Sequence, residues 1–359
     1  MQKTPTLQLK RSRTIIIKLP HSHIIGTIIA YIFGVFIVPI VISYSKKEGL
    51  VDIPNERKIH TKPISRIGGV AIWASTMLTF LCLVLMSYYP YGKLMSGILL
   101  GSSLMFLLGL IDDIYGLGAK FKLLIQVSIA TIVYLLGVQI NTIPFLNLDL
   151  AWWLSYPITM LWIVGISNAV NFIDGVDGLA GSVVTVNALT LAILAINLSP
   201  PNPISALIGF ILAGSMLAFL TFNFNPAKIF MGDSGALFAG FLLATISITG
   251  VMKVATLSIL LPFVVLAVPI IDITYASLRR IANGKSPFVA DAEHIHHKLL
   301  HAGFSQKKTV VILTSVAILA GGLACLFASH HAIKYYFYLT IALVAIMISL
   351  NLIRVLTKK

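Results

Sequence analysis

Charge is scarce in this chain. Of its 359 residues only 11% are charged, and only 12 are Asp or Glu. A soluble domain would carry about a quarter charged residues, so an ordinary soluble globular protein is excluded. Polar stretches long enough for a separate soluble domain are missing, as are low-complexity tracts and internal repeats. The sequence has just two cysteines, Cys82 and Cys325, and both fall in apolar runs. They read as apolar fillers, not as a disulfide or a metal pair. Segments of alternating apolar and polar residues are also lacking, which argues against a β-barrel.

What the chain does have is hydrophobic length. It is 58% hydrophobic, with long apolar runs from end to end, the pattern of an all-α polytopic integral membrane protein. About eleven transmembrane helices are expected, near 24–44, 68–89, 94–114, 121–140, 157–174, 178–198, 203–222, 234–252, 255–278, 308–329 and 333–353. They form one transmembrane domain over 24–354, flanked by a basic N-terminal tail, 1–23, and a C-terminal tail, 355–359. The first run has no small-residue cleavage site after it, so a retained helix is expected in place of a signal peptide. The net charge of +14 would raise the question of nucleic acid in a soluble protein. Here the basic residues flank apolar spans, where they anchor helices and set orientation, and no nucleic-acid partner is expected.

An odd number of spans puts the termini on opposite sides. With the C-terminus cytoplasmic, the inner loops hold 18 of the 26 Lys and Arg residues, as the positive-inside rule requires. The five basic residues of the N-terminal tail dissent. The same map places every acidic residue except Asp149 at or beside the cytoplasmic surface. Acidic and basic side chains thus converge on one face.

Five of those carboxylates lie in three short motifs: LIDDIYG, NAVNFIDGVDGLAG and IFMGDSG. Asp112 and Asp113 end the third span. Adjacent carboxylates repel, so one must be protonated, metal-bound or paired with a cation, and Lys120 and Lys122 follow closely. A solvated helix cap is the bland alternative, but ionisable groups at a membrane edge usually mark a site. Asn168, Asn171, Asp174 and Asp177 recur every third residue. Interhelical bonding accounts for one buried Asn, not for four polar groups at this spacing. Amide and carboxylate oxygens are the hard donors that Mg²⁺ or Mn²⁺ prefers. Asp233-Ser234-Gly235 reads as an N-cap entering the eighth span, a place that also suits phosphate or a metal carboxylate.

Two loops remain. The segment 280–307 carries Asp291, Glu293, His294, His296 and His297 without zinc-binding spacing; its histidines suit phosphate or sugar oxygens, or are simply solvated. Asp272 is either a site residue or a partner of Arg279 or Arg280. The first inner loop, RKIHTKPISRIGG, offers Lys62 and Arg66 around a proline and before paired glycines, an arrangement fit for an ordered loop over a phosphorylated ligand. Membrane anchoring is the plainer reading there.

In this order HTKPISRIGG, GLIDDIYGLGAKFKLLIQ, SNAVNFIDGVDGLAG, FNFNPAKIFMGDSG and HIHHKLL resemble the polyprenyl-phosphate N-acetylhexosamine-1-phosphate transferases, over about residues 46–300. The resemblance implies transfer of a sugar-1-phosphate from a UDP-sugar to undecaprenyl phosphate, with release of UMP. It implies Mg²⁺ or Mn²⁺ as cofactor and an active site on the cytoplasmic face of a bacterial inner membrane. Asp112 and Asp113 would be the catalytic pair. Asp233, Asn171 and Asp174 would bind metal. Asn168 and Lys122 would hold the diphosphate, and Asp177, Asn223 and Phe230 would form the nucleoside pocket. His294, His296 and His297 would contact sugar and phosphates, while Lys62 and Arg66 would reach the nucleotide. HIHHKLL resembles the N-acetylglucosamine branch and disfavours a UDP-MurNAc-pentapeptide donor; UDP-GlcNAc leads, with other UDP-N-acetylhexosamines open. So does a homodimer remain open. The tail and the last two spans add nothing to this assignment.

Two other classes compete. An ion-coupled transporter also uses intramembrane Asp and Asn, but nearer the midplane than these motifs lie. A CDP-alcohol phosphatidyltransferase would need an Arg after DGVDGLA and a later Asp pair, and neither is present.

Overall fold

Among the described residues, helices carry the chain back and forth so that its polar motifs gather at one end of the bundle. The computed structural model describes residues 19–53, 63–86, 92–143, 148–252, 260–282, 284, 294–329, 331–338 and 340–341. The helices are α1 Leu19–Lys47, α2 Gly68–Leu85, α3 Lys93–Tyr115, α4 Ala119–Leu135, α5 Trp152–Ile173 and α6 Leu179–Asn197. They continue as α7 Pro203–Asn223, α8 Gly232–Ile246, α9 Leu260–Val265, α10 Ala267–Ala282, α11 Ile295–His301 and α12 Gln306–Ala328. A π-helical stretch, Ser247–Met252, prolongs α8. In a bilayer each backbone N–H and C=O must be satisfied within its own segment, which is why continuous apolar runs become helices.

Among the described residues, eight helices are long and apolar enough to cross a membrane. The all-α polytopic architecture expected above is therefore present, but the count of eleven is not reached. Helix α4 spans 17 residues, and the expected eleventh span lies mostly outside the described residues. The ninth is broken between α9 and α10. Pro269 explains the break, because its ring crowds the carbonyl of Val265 and it has no N–H to donate.

Helices α6 and α8 form the centre. Every residue from Leu179 to Ala195 and from Ser234 to Ile246 is buried. By contrast α1 exposes Ile24, Ile28, Ile32, Phe36 and Ile40, the face a lipid-facing helix needs. Small residues let the central helices approach closely. A Cβ on Gly109 of α3 would lie 2.4 Å from the Asp233 carbonyl oxygen, and one on Gly69 of α2 would lie 2.2 Å from the Gly235 nitrogen. Those two glycines seat the start of α8 between α2 and α3.

Two short antiparallel ladders complete the fold: β1 Val51–Asp52 with β2 Ile64–Ser65, and β3 Thr142–Ile143 with β4 Leu148–Asp149. Strand β2 matters for the site. The Phe230 N–H donates to the Ser65 carbonyl at 2.7 Å, and the Gly68 and Gly69 N–H groups return bonds to Phe230 and Met231. The loop before α2 is thereby stitched to the segment that leads into α8.

Candidate active site

The C-terminal ends of α1, α5 and α7, the N-terminal ends of α8 and α12, and the short helix α11 open onto one cleft of about 910 Å³. Asn171, Asp174, Asp177 and Asp233 line it on the carboxylate side, and Arg66, Lys46 and Lys228 contribute cations. Asn223, Phe230 and His297 also reach it. Asp112, Asp113, Lys122, Asn168, His294 and His296 are not among its lining residues. Lys62, Asp291 and Glu293 lie outside the described residues.

The adjacent carboxylates of α3 have different settings. Asp113 is 8% exposed and faces the start of α8. Its oxygens accept from the Asp233 N–H at 2.8 Å, the Ser234 N–H at 3.0 Å and the Ser234 hydroxyl at 2.6 Å. Helix α8 was expected to be capped by its own Asp233-Ser234-Gly235. Instead Asp233 sits in the first turn, and the cap comes from α3, where a full negative charge meets the helix's unpaired N–H groups. A side chain on Gly232 would collide with this carboxylate, at 2.6 Å from Oδ2, and the positive φ of 69° there suits glycine.

Asp112 turns the other way. It accepts from the Leu117 N–H at 2.5 Å and from the Lys122 ammonium at 2.8 Å. Lys122 also bonds Asp233, and Asn171 donates to the other Asp233 oxygen at 2.9 Å. Helices α3, α4, α8 and α5 are thus tied in one run of bonds, Asp112–Lys122–Asp233–Asn171. Asp174 closes this side. Loss of hydration, then the carboxylates of Asp113 and Asp177, push its carboxyl well above the usual range, with the Gly232 N–H offsetting part of the shift.

Other expected site residues are committed to the scaffold. Asn168 exchanges amide bonds with Gln126 of α4, at 2.6 and 3.3 Å. Asn223 accepts from the Gly178 N–H at 3.0 Å and donates to the Ile229 carbonyl at 2.8 Å. Asp177 accepts from the Ala227 N–H and the Asn225 amide, each at 3.1 Å.

The histidines form a column of rings. Phe172, His294, His296 and His297 follow one another at centroid separations of 5.2, 5.8 and 4.3 Å. Asp272, 2% exposed, fixes the column: it meets His294 Nδ1 at 2.8 Å and takes the Ile295 N–H at 2.7 Å. His296 is buried, and among the described residues neither ring nitrogen has a hydrogen-bond partner. Burial first, then His297 and His294, lowers its pKa to about 4 against an opposing pull from Asp272. Gly175 beside Asp174 allows the approach, since a Cβ there would stand 2.3 Å from His296 Nε2.

Sequence reasoning passed over Gln126, Asn225 and Gln306. The first two are polar residues inside motifs already singled out. Gln306 opens α12, a span set aside as uninformative, yet it lines the cleft.

Known proteins carry the same pattern. The glycosyl transferase family 4 signature matches residues 95–251. A Bacillus subtilis (strain 168) protein named probable undecaprenyl-phosphate N-acetylglucosaminyl 1-phosphate transferase is 39% identical over 295 residues, 81% of this chain and 80% of its own length. The Mycobacterium leprae decaprenyl-phosphate N-acetylglucosaminephosphotransferase is 34% identical over 76% of each chain. The Escherichia coli K12 undecaprenyl-phosphate alpha-N-acetylglucosaminyl 1-phosphate transferase is 28% identical over 84% of this chain and 83% of that protein. Membrane-crossing helices, a carboxylate cluster at one end of the bundle and this level of identity agree: the chain belongs to glycosyl transferase family 4, among the polyprenyl-phosphate N-acetylhexosamine-1-phosphate transferases.

Proposed function

We propose that this protein transfers N-acetylglucosamine-1-phosphate from UDP-GlcNAc to undecaprenyl phosphate at the cytoplasmic face of a bacterial inner membrane. A phosphate oxygen of the lipid acceptor bonds to the β-phosphorus of the donor. The bond from that phosphorus to the bridging oxygen breaks, and UMP leaves with the electron pair. The observation that carries this reading is the linkage of Asp112, Asp233 and Asn171 through Lys122, with Asp113 and Asp174 adjoining, beside a cleft of nucleotide-sugar size at one end of a membrane bundle. An ion-coupled transporter would place such groups near the middle of its helices.

The main obstacle is charge, because a phosphate monoester must approach a diphosphate. The acceptor's second pKa is about 6, so at neutral pH most of it is already dianionic. Asp112, held by Lys122 and the Leu117 N–H, fixes Lys122 where its ammonium can meet phosphate charge. Lys122 holds Asp112 and Asp233 in register with positive charge between them. Asp113 acts through α8, keeping Asp233 turned toward the cleft.

The donor set fits a hard cation. Asp233, Asp174 and Asn171 supply oxygens, and Asp174 is crowded by Asp113 and Asp177, a position short of positive charge. Among the described residues no three His, Cys, Asp or Glu side chains group closely enough to hold a metal by themselves. Mg²⁺, or Mn²⁺ in its place, commonly uses one or two carboxylates together with substrate phosphates. When bound, such an ion neutralises the diphosphate and stabilises the leaving group.

The test offers vesicles containing undecaprenyl phosphate and the purified protein a panel of UDP-sugars, then measures UMP released and sugar-labelled lipid. UDP-GlcNAc is expected to give both products in equal amounts. Chelation is expected to stop the reaction, and added Mg²⁺ to restore it. UMP release without labelled lipid, or labelling that survives thorough chelation, would sink the corresponding half of the proposal.

A further inference from the structure

Asp272 occupies an unfavourable place for a carboxylate. It is buried in α10, just past the break at Pro269, in a helix whose Ile271 and Tyr275 are exposed. A carboxylate in such a setting persists when it is paired. Among the described residues its hydrogen bonds run to the start of α11, and not to Arg279 or Arg280. Oδ2 meets His294 Nδ1 at 2.8 Å, and Oδ1 accepts from the Ile295 N–H at 2.7 Å. Capping α11 does not by itself call for a carboxylate, because Asn offers a backbone N–H an equally good acceptor. The second oxygen therefore has a separate task.

That task concerns the ring of His294. A carboxylate only accepts, so the ring proton facing it sits on Nδ1, and on the neutral imidazole Nε2 is then the acceptor. Among the described residues Nε2 has no hydrogen-bond partner. The ring is also fixed in place. It stacks on Phe172, the neighbour of Asn171, and His296 lies almost parallel to it, at an interplanar angle of 6°. His297 packs on His296 and lines the cleft. Asp272 is thus the anchor at one end of a column whose other end reaches the site.

We infer that Asp272 is a positioning residue for the transfer reaction: it sets which nitrogen of His294 is free and holds the ring column that brings His297 to the cleft. The inference rests on the reading of that cleft as the transfer site. It gives α10, which contributes none of the described lining residues, a part in the chemistry through α11.

Asparagine separates the two tasks of Asp272. In Asp272→Asn the amide oxygen still takes the Ile295 N–H, which turns the NH₂ group toward His294 Nδ1. Two donors cannot share a hydrogen bond, so the ring proton moves to Nε2. The cap is kept and the tautomer is reversed.

Full-length protein in vesicles with undecaprenyl phosphate is assayed with UDP-GlcNAc for wild type, Asp272→Asn, His294→Ala and the double variant. Thermal melts and nitrogen-15 spectra of labelled histidine accompany the kinetics. Carboxylates behind metal-binding imidazoles are worth about 10–100-fold in activity, and Asp272→Asn is expected to lose kcat on that scale. Both KM values and the melting temperature should stay near wild type. The wild-type spectrum should contain an Nδ1-protonated histidine that is missing from His294→Ala and becomes Nε2-protonated in Asp272→Asn. Because Asp272 acts through His294, the double variant should lose no more kcat than His294→Ala alone. A folded Asp272→Asn with wild-type kcat, or one with an unchanged histidine spectrum, would overturn this inference alone. So would a double variant whose loss is the product of the two single losses, or a fall in stability that drags kcat and both KM values with it. A wild-type protein that releases no UMP would overturn it together with the transfer reading.

Discussion

The carboxylates and the histidines flank the same cleft but are held in opposite ways. On the carboxylate side partners are matched: Asp113 takes three donors from α8, Asp112 takes two, and Asp233 is shared between Lys122 and Asn171. On the histidine side His294 is fixed by Asp272, while His296 is packed between rings with neither nitrogen partnered among the described residues. Charged groups near a membrane are tolerated when paired, and pairing makes them rigid. A neutral imidazole costs less to bury unpaired than a charge does, though its N–H and lone pair still lose their hydration. One side therefore supplies fixed charge, and the other holds, at His296, an imidazole whose burial opposes protonation. The difference is open to test.

The largest effect is expected at Asp233, where four helices meet. Asp233→Asn keeps the volume and one acceptor but removes the charge that faces Lys122 and the proposed cation. Transfer should fall by about 10²–10³-fold, on the scale of removing one electrostatic stabiliser from a preorganised site. The melting temperature should change little. A variant with near-wild-type turnover would remove Asp233 from the chemistry and leave the carboxylate side as scaffold.

The next test separates two neighbours. Asp113→Asn turns an amide N–H toward helix donors, and bonds to charged groups are worth about 1.5–3 kcal/mol. We expect a stability loss of that order, with activity falling because Asp233 loses its setting. Asp112→Asn should lower kcat with a smaller loss of stability, because the amide oxygen still serves the Leu117 N–H and only the Lys122 contact is weakened. Ser234→Ala, which removes only the hydroxyl that meets Asp113 at 2.6 Å, should reproduce a fraction of the Asp113 stability effect. If Asp112→Asn and Asp113→Asn give the same losses in both measurements, the two carboxylates do one job.

The different settings of Asp112 and Asp113 were not legible in the sequence, although the pair itself stood out there. Carboxylates in so apolar a chain stand out because each must be paid for, so the motifs themselves were readable. Pairing between distant residues has no local signature. Asp113 meets Ser234 across 121 positions, Asn168 meets Gln126 across 42, and His294 meets Asp272 across 22. Gln306 was missed for a related reason: a lone Gln at a helix start looks like solvated surface until the fold brings Asn225 to it. Helix type was readable from the apolar runs. The span count was less so, because the length of α4 and the break at Pro269 depend on where a helix ends, not on whether the segment is apolar.

The histidine side is tested by acid. His296 titrates near 4 in the fold and near 6.5 in an unfolded chain. Below about pH 6.5 the unfolded chain takes up a proton that the folded site refuses until about pH 4. The contribution of this group to stability is therefore complete above 6.5 and is lost progressively as pH falls toward 4, on the order of 3 kcal/mol in all. Melting temperatures followed from pH 7 to 4 should decline more steeply in wild type than in His296→Leu, which has no group to protonate. Parallel curves would mean that His296 is solvated in the working protein and that the two sides of the cleft are held alike.

The smallest effect tests whether the two sides communicate. Gly175 follows Asp174 and makes room for His296, and its φ is not positive, so alanine there meets steric resistance only. The new methyl would press on His296 Nε2, and the ring would have to shift by several tenths of an ångström or more. A displacement of this kind in a packed site costs about 1–3 kcal/mol. If the ring column and the carboxylates are mechanically separate, Gly175→Ala should lower the melting temperature and leave the donor KM and the metal requirement alone. If Asp174 moves with the ring, the concentration of Mg²⁺ needed for half activity should rise as well. We expect the second outcome, because one peptide joins the Asp174 carboxylate to the glycine that His296 rests against. Unchanged Mg²⁺ dependence in a measurably destabilised Gly175→Ala would show that the contrast between the two sides extends to their mechanics.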